Sequence, residues 1–272
     1  MEFVSVQGED IPAIGLGTYQ LRGQSCVDVV QEALDLGYRH IDTAEYYNNQ
    51  QEVGNAIRSA AIDREEIFLT TKVWRSNLAY DDFIESATES LDELGLEYVD
   101  LLLIHWPSQS VPIEETLQAM NKLHHEGKTR HIGVSNFSVS QLQEARAASD
   151  VPILTDQVEY NPFTGQSDLV EYCIGSDVMA TAYSPLAKGK VAKNDTLASI
   201  GDRYDKSATQ VALRWLVQQE GVAAIPKASS REHLEANLAV FDFELTDAEM
   251  ERIRDPSKVK TGVQFVRSQL PF

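Results

Sequence analysis

The chain has 272 residues, of which 43% are hydrophobic, so it is long enough to bury one large core or two smaller ones. Its 42 acidic residues outnumber 23 basic ones and give a formal charge of −19, which disfavours binding to nucleic acid and to anionic membrane surfaces. The start, MEFVSVQGED, lacks the basic and apolar regions of a signal peptide, and no apolar run is long enough to span a membrane. We therefore expect a cytoplasmic protein.

The acidic residues are spread along predicted helices, as in DDFIESATESLDELGLE, and do not form a tail. This pattern indicates a solvated acidic surface. It also suggests adaptation to a salty cytoplasm, where screening removes the self-repulsion that would destabilise the fold. The two cysteines, Cys26 and Cys173, are too few for a disulfide framework or a metal cluster, so we expect no metal site.

The first predicted element is a hairpin in EFVSVQGEDIPAI, with a turn at Gly8–Asp10, which we expect to plug the bottom of a barrel. Short β-rich runs then alternate with amphipathic helical stretches along the chain. The runs are AIGLG (13–17), HIDTA (40–44), IFLTTKV (67–73), VDLLLIH (99–105), HIGVS (131–135), ILTDQVEY (153–160), VMATAYS (178–184) and VAAIPKA (222–228).

The helical stretches carry start and stop signals. In SCVDVVQEALDLG, Ser25 is the predicted N-cap and Gly37 the stop, and Thr246 is the predicted cap of LTDAEMERIRD. The tail KVKTGVQFVRSQLPF has no clear period and is predicted to form a loop over one rim. The other predicted helices are DDFIESATESLDELG, IEETLQAMNKLHHEG, SVSQLQEARAAS, SATQVALRWLVQQEG and REHLEANLAV.

Strands dense in Ile, Leu and Val that alternate with helices indicate a parallel sheet covered by helices. Eight such units in 272 residues favour an α/β fold of the closed (β/α)8 TIM barrel type, one domain over residues 1–272. A doubly wound sheet would show G-x-G-x-x-G, whereas the nearest match, IGLGTYQ, lacks the third glycine. No helix looks apolar all round, so we expect a monomer.

Each run after the first ends on a polar or reactive residue. In a barrel these ends meet at one mouth, where active sites lie. Because unpaired buried polar groups cost a few kcal/mol each, seven polar strand ends in register are difficult to explain by packing alone. The residues at these ends are Asp42, Lys72, His105, Ser135 with Asn136, Gln157, Tyr183 with Ser184, and Lys227.

Three of these residues, Asp42, Lys72 and His105, suggest one reaction together with Tyr47, which lies five residues after Asp42. Tyr47 is a poor acid alone, and a nearby ammonium at Lys72, held by Asp42, is expected to lower its pKa. His105 is expected to hydrogen-bond the oxygen on which Tyr47 acts. Together they form a proton donor for a carbonyl that becomes an alkoxide. Because no side chain gives a hydride, carbonyl reduction also implies a nicotinamide cofactor.

The same residues stand in motifs that resemble those of the aldo-keto reductase family, close to its short-looped prokaryotic branch with the 2,5-diketo-D-gluconic acid reductases. DTAEYYNNQQEVG is similar to the family pattern D-T-A-x-x-Y-x-N-E. The other matching motifs, in chain order, are TTKVW, LLLIHWP, GVSNF, QVEYNP, AYSPL, IPK and NLAVFDFELT.

The resemblance implies an NADPH-dependent reductase of aldehydes, ketones or keto-sugars, with NADH as the alternative cofactor. Asp42, Tyr47, Lys72 and His105 match the catalytic tetrad of the family. Substrate-pocket residues matched besides Tyr47 and His105 are Tyr19, Trp74 and Trp106. Cofactor residues matched or implied besides Asp42 are Gly17, Thr18, Ser135, Asn136, Gln157, Tyr183, Ser184, Leu186, Lys227, Ser229, Ser230, Arg231, His233 and Asn237.

Several positions depart from the family pattern. Gln50 replaces a glutamate, which removes a charge while a local hydrogen bond is kept. Asp156 stands where Asn is common, and we expect an extra negative charge near the cofactor. His233 falls where an arginine often binds the 2′-phosphate, and Arg231 is the predicted compensation. Two smaller losses are Ala228, for a serine hydroxyl, and Ala236, for an acidic adenine contact.

Two other functions remain open from the sequence. Lys72 or Lys227 at a strand end is a candidate for a Schiff base, as in barrel aldolases, although Asp42 beside Lys72 would raise its pKa and oppose that role. The chain is alternatively a non-catalytic nucleotide-binding sensor. Borohydride trapping distinguishes the first alternative, and NADPH binding without aldehyde turnover distinguishes the second.

Overall fold

The computed structural model describes residues 2–254. The first element is the predicted hairpin of β1 (Phe3–Val6) and β2 (Glu9–Pro12). Its turn is Gln7–Gly8, one residue earlier than predicted, because both residues have positive φ (51° and 85°) as two-residue hairpin turns require. The Gln7 amide Nε2 donates to the carbonyls of Ile153 (2.9 Å) and Asp177 (2.8 Å), near the starts of two barrel strands. The hairpin therefore lies at the bottom of the barrel.

Eight strands follow and pair in parallel, each with the next along the chain. A parallel bridge between Ile14 and Ala224 joins the last strand to the segment before the first. The predicted (β/α)8 barrel is confirmed. The strands are β3 (Leu16–Gly17), β4 (His40–Asp42), β5 (Phe68–Val73), β6 (Val99–Ile104), β7 (Thr129–Ser135), β8 (Ile153–Glu159), β9 (Met179–Tyr183) and β10 (Val222–Ala224).

Ten helices surround the strands within residues 2–254, and none of them is long and apolar enough to cross a membrane. Helices α2, α6 and α7 are not among those the sequence patterns predict. The helices are α1 (Gly23–Asp35), α2 (Gln50–Ser59), α3 (Tyr80–Leu94), α4 (Ile113–His125), α5 (Val139–Ala148), α6 (Ser167–Gly175), α7 (Asp195–Gly201), α8 (Ala208–Val217), α9 (Arg231–Leu238) and α10 (Asp247–Arg254).

The predicted helix ends have mixed outcomes. Ser25 as the N-cap of α1 is wrong: the helix begins at Gly23, whose N–H donates to the Glu52 carboxylate at 3.1 Å, so Ser25 lies inside the first turn. Gly37 follows the end of α1 with φ 101°, as a stop residue does. Thr246 caps α10, because its Oγ1 accepts from the Glu249 N–H at 3.4 Å. The tail predicted to cover a rim lies outside the described residues.

The seam between the first and last strands depends on a glycine. A Cβ at Gly17 would lie 2.7 Å from the Ile225 carbonyl oxygen, closer than real side chains approach. Gly17 N–H also donates to the Pro226 carbonyl at 3.2 Å. The absence of a side chain therefore lets the end of β3 and the segment after β10 meet at the mouth of the barrel.

Candidate active site

The C-terminal ends of the strands surround a cavity of about 790 Å³. It contains all five residues predicted for the substrate: Tyr19, Tyr47, Trp74, His105 and Trp106. It also contains nine of the residues predicted for the cofactor: Gly17, Asp42, Ser135, Asn136, Gln157, Tyr183, Ser184, Leu186 and Lys227.

Lys72 lies at the centre of the polar network beneath this cavity. Its side chain is fully buried, yet its ammonium has three partners: Asp42 Oδ1 at 2.7 Å, the Thr43 carbonyl at 2.8 Å and Tyr47 Oη at 3.3 Å. A buried charge is tolerated only when it is paired and hydrogen-bonded, as here. The other carboxylate oxygen, Asp42 Oδ2, accepts from Gln157 Nε2 at 2.8 Å, which ties β4 to β8 across the barrel.

Tyr47 ends a short 3-10 helix, Glu45–Tyr47, that follows β4. The helix stops because Asn48 adopts a left-handed conformation with φ 50°. Beneath it, buried Asn49 accepts from Thr43 Oγ1 at 2.8 Å and donates to the Thr18 carbonyl at 2.9 Å. These bonds fix the backbone on both sides of Tyr47 and so direct its ring into the cavity.

The rings around Tyr47 complete its surroundings. Its ring centroid lies 5.0 Å from that of Tyr19 and 5.8 Å from that of His105, with the imidazole edge-on at 76°. Lys72 Nζ lies 4.8 Å from the centre of the Tyr47 ring. The phenol, ammonium, imidazole and carboxylate predicted from the sequence therefore meet at one point.

The expected lowering of the tyrosine pKa is wrong in this structure. Burial raises the pKa of Tyr47 well above its ordinary value of 10.0, and the Asp42 carboxylate and Tyr19 act in the same direction. Burial also lowers the pKa of Lys72, an effect that the charge and hydrogen bond of Asp42 oppose. All three causes favour the neutral phenol, so Tyr47 holds its proton firmly.

His105 is uncharged at neutral pH. Its burial and the nearby Lys72 ammonium lower the pKa of the imidazole to about 3. The ring nitrogen Nδ1 is buried without a hydrogen-bond partner among residues 2–254. A neutral imidazole beside Tyr47 offers a hydrogen bond without adding a second cation to the cavity.

A second network lies between β7, β8 and β9. Asn136 donates through Nδ2 to Ser135 Oγ and to the His105 carbonyl, both at 3.0 Å, and accepts from Tyr183 Oη at 2.7 Å. Ser135 Oγ donates to the Gln157 carbonyl at 2.7 Å. The residues predicted to hold a carboxamide and a flat ring thus form one connected group of donors, acceptors and an aromatic face.

The loop after β9 continues the cavity with unusual backbone conformations. Ser184, Ala187 and Lys188 all have positive φ values (47°, 47° and 54°), which cost energy for residues other than glycine. Asn161 Nδ2 donates to the Ser184 carbonyl at 3.2 Å and anchors the start of the loop. Because such conformations concentrate at ligand-binding sites, this loop is a candidate cofactor contact.

The α9 end of the predicted cofactor site differs from expectation. Arg231, the predicted compensation for a missing guanidinium, is bound by two carboxylates, Glu235 at 2.8 Å and Glu32 at 3.3 Å. Ser230 caps α9 by accepting from the His233 N–H at 3.4 Å. Ser229, Ser230, Arg231, His233, Asn237 and Thr18 do not line the cavity, whereas Lys227 does.

The structure shows the surroundings of two residues that differ from the family pattern, Gln50 and Asp156. Gln50 keeps its local bonds, accepting from Thr71 Oγ1 at 2.5 Å and donating to Glu93 at 2.9 Å. The expected negative charge of Asp156 near the cofactor is wrong. Its carboxyl is fully buried on the face of β8 opposite to Gln157, accepts from the Phe137 N–H at 3.5 Å, and burial raises its pKa well above 3.8.

Several residues that line the cavity are not among those predicted from the sequence. Tyr46 lies next to Tyr47 in the motif DTAEYYNNQQEVG. Because Tyr47 is a predicted site residue, this adjacency is the sequence signal that could have identified Tyr46. Lys188 belongs to a cluster of lysines in an otherwise acidic chain. The lining residues not predicted are Gln20, Tyr46, Glu159, Pro185, Lys188, Gly189 and Ile225.

A closed (β/α)8 barrel whose C-terminal strand ends surround a cavity with polar and aromatic residues is the usual arrangement of barrel enzymes. The Aldo/keto reductase family profile matches residues 13–257. The chain belongs to the aldo-keto reductase family and is an oxidoreductase of that family.

Bacterial relatives and solved structures agree with this assignment. A methylglyoxal reductase DkgB of Escherichia coli O157:H7 is 41% identical over 242 residues, covering 88% of this chain and 90% of the relative. A glyoxal reductase of Bacillus subtilis (strain 168) is 38% identical over 247 residues, covering 90% and 89%. A crystal structure assigned provisionally as 2,5-diketo-D-gluconic acid reductase B superposes with a TM-score of 0.92 at 45% identity, over 94% of this chain and 91% of that chain.

Proposed function

We propose that the protein reduces the carbonyl group of small aldehydes, ketones or keto-sugars to an alcohol, with NADPH as hydride donor and Tyr47 as general acid. The observation that carries the proposal is the contact of Tyr47 Oη with Lys72 Nζ at 3.3 Å, inside a cavity that His105 also lines. The relatives named as glyoxal and methylglyoxal reductases support a small carbonyl substrate.

The cavity fits a nicotinamide dinucleotide. Its volume is in the range of ligand pockets, and it extends from the aromatic residues beside Tyr47 to Lys227. Ser135, Asn136 and Gln157 would hold the carboxamide, and the Tyr183 ring would stack on the nicotinamide. Ser184, Leu186 and the loop of left-handed residues would cover the pyrophosphate. When bound, the cofactor supplies the hydride that no side chain provides.

The residues of the chain would supply the proton. The raised pKa keeps Tyr47 protonated, and the alkoxide that forms at the carbonyl oxygen is basic enough to take this proton. Lys72 would stabilise the phenolate that remains, and Asp42 would keep Lys72 charged in a buried position. Neutral His105 would orient the carbonyl oxygen by donating from Nε2, since its Nδ1 is buried.

We propose NADPH in preference to NADH because Lys227 reaches the cavity and is free of ion pairs among the described residues. The preference is expected to be moderate, because Glu32 and Glu235 occupy Arg231 and an imidazole stands at His233. The proposal includes Ser229, Ser230 and Asn237 as further cofactor-binding residues, although they do not line the cavity. Parallel titrations with NADPH and NADH measure this preference directly.

The central test is Tyr47→Phe. We expect reduction of methylglyoxal to fall by about 10²–10⁴-fold, the usual contribution of general acid catalysis. The dissociation constant for NADPH should stay within about 2-fold, since the ring remains and general acids act on the substrate. Tyr46→Phe, which removes a phenol one position away, is the matched control and should retain turnover. Undiminished reduction by Tyr47→Phe would contradict the assignment of the acid.

A further inference from the structure

A patch of lysines stands on the loop that follows β9. Lys188, Lys190 and Lys193 lie within residues 188–193, in a chain whose formal charge is −19. All three are exposed, and none of them forms an ion pair within residues 2–254. This lysine patch is therefore a local concentration of uncompensated positive charge on an acidic protein.

The backbone gives the lysine patch a defined shape. Two short 3-10 helices, Ala187–Gly189 and Val191–Lys193, follow one another along this loop. Val191 is fully buried and anchors the loop to the core. The Lys193 N–H donates to the Lys190 carbonyl at 3.2 Å, which closes a turn of three residues. Since residues three apart in a 3-10 turn lie on the same face, Lys190 and Lys193 stand side by side.

The lysine patch adjoins the part of the cavity proposed for the cofactor phosphates. Lys188 lines the cavity, as Lys227 does, whereas Lys190 and Lys193 do not. A carboxylate, Glu159, lines the same cavity and adds to the negative charge of the chain. An anionic ligand that approaches the cavity is therefore repelled by most of the protein surface and attracted at the loop after β9.

We propose that Lys190 and Lys193 steer the anionic cofactor towards the cavity without contacting it once it is bound. The inference rests on the proposed use of NADPH, which carries a charged pyrophosphate and about −1.5 to −2 further charges on its 2′-phosphate. Steering by a local cluster of opposite charge raises association rates by about 10- to 10³-fold. Charges outside a binding site act on the approaching ligand, so they change the association rate and its salt dependence more than the dissociation rate.

The test follows NADPH binding to the full-length protein by stopped-flow quenching of tryptophan fluorescence, which is suitable because Trp74 and Trp106 line the cavity. At about 10 mM ionic strength, where the Debye length is about 30 Å, Lys190→Gln and Lys193→Gln should each lower the association rate constant about 3-fold, and the double variant about 10-fold. At about 1 M salt, where the Debye length is about 3 Å, the loss should shrink to less than about 2-fold. The dissociation rate constant should stay within about 2-fold of wild type.

Three controls isolate the charge of the lysine patch. The double variant Lys190→Arg with Lys193→Arg keeps both charges and should keep the wild-type association rate constant. Lys128→Gln removes an exposed lysine directly before β7, at the bottom of the barrel, and should change this constant by less than about 2-fold. NADH, which lacks the 2′-phosphate, should lose less than NADPH in the double glutamine variant, because the attraction scales with the charge of the ligand.

An unchanged association rate constant at low salt in the double glutamine variant overturns the inference. An equal loss in the arginine variant or in Lys128→Gln also overturns it, because the effect would not then come from the charge of the patch. A faster dissociation with unchanged association would mean that the two lysines contact the bound cofactor, which again overturns it. A wild-type protein that binds NADPH with the expected rates but reduces no carbonyl refutes the proposed function and supports the steering, whereas one that does not bind NADPH overturns both.

Discussion

Asp156 offers a quantitative test of how burial controls ionisation in this barrel. The carboxyl is 0% exposed, its Oδ2 has no partner within residues 2–254, and its Oδ1 accepts one long bond from the Phe137 N–H. The titratable groups that interact with its charge are the buried Cys173 thiol on α6 and the Tyr183 phenol on β9, and no cation forms an ion pair with Asp156 within the described residues. Burial therefore raises the pKa of this carboxyl well above 3.8 and favours its protonated form in the folded protein.

The sign of the pH effect follows from the raised pKa. A carboxyl whose folded-state pKa exceeds its unfolded value of about 3.9 favours folding at low pH, and the contribution is lost as pH rises towards the folded pKa. While the folded form stays protonated and the unfolded form ionises, the loss is about 1.4 kcal/mol per pH unit. Asp156→Asn is always neutral, so it lacks this loss. Over the two units from pH 5 to pH 7, the variant should therefore gain on wild type by at most about 2.8 kcal/mol, the limit reached when the folded form stays protonated throughout.

Urea unfolding of wild type and Asp156→Asn at pH 5, 6 and 7 measures this difference. Asp150→Asn removes an exposed carboxylate six residues away and is the control, for which the difference from wild type should not vary with pH by more than about 0.5 kcal/mol. If the free energy of unfolding of Asp156→Asn runs parallel to that of wild type across this range, the carboxyl is not held protonated and the reasoning is refuted.

Three further predictions follow from the site and surface. Lys72→Met should lower the free energy of unfolding by about 3–5 kcal/mol in chemical denaturation, because it leaves the buried Asp42 carboxylate without its partner. Adding Asp42→Asn should restore part of this loss, and an equal loss in the single and double variants would contradict the reasoning. Lys227→Gln should weaken NADPH binding about 10-fold or more while NADH binding changes little. Equal losses of affinity for the two cofactors would show that Lys227 does not bind the 2′-phosphate. The melting temperature should rise from low to molar KCl, because screening relieves the repulsion of a −19 chain; a flat profile would remove the case for salt adaptation.

The sequence predicted the fold and most of the cavity because both depend on periodic patterns. Alternating strands and helices set the barrel, and barrel geometry brings strand ends such as Asp42, Lys72 and Gln157 to one mouth. The outward direction of Asp156 was also predictable, since neighbours in a strand face opposite sides and Gln157 faces Asp42.

Other features depend on contacts that no local pattern contains. Arg231 is bound by Glu32, 199 residues away along the chain, so its loss as a free cation follows only from the packing of α1 beside α9. The raised pKa of Tyr47 depends chiefly on how completely neighbouring residues exclude water from the phenol. The N-cap of α1 was missed because Glu52, on another helix, supplies the acceptor for Gly23.

The ion pairs of Arg231 with Glu32 and Glu235 join α9 to α1. In contrast, Tyr47, Lys72 and His105 lie on or directly after β4, β5 and β6. Selection can therefore act on the two ends through separate substitutions. Replacing both glutamates with neutral residues would free the Arg231 guanidinium, and under the proposed function this would change the preference between NADPH and NADH without altering Tyr47, Lys72 or His105. Under the proposed function, substitutions on α1 and α9 would therefore change the choice of nicotinamide cofactor independently of the acid.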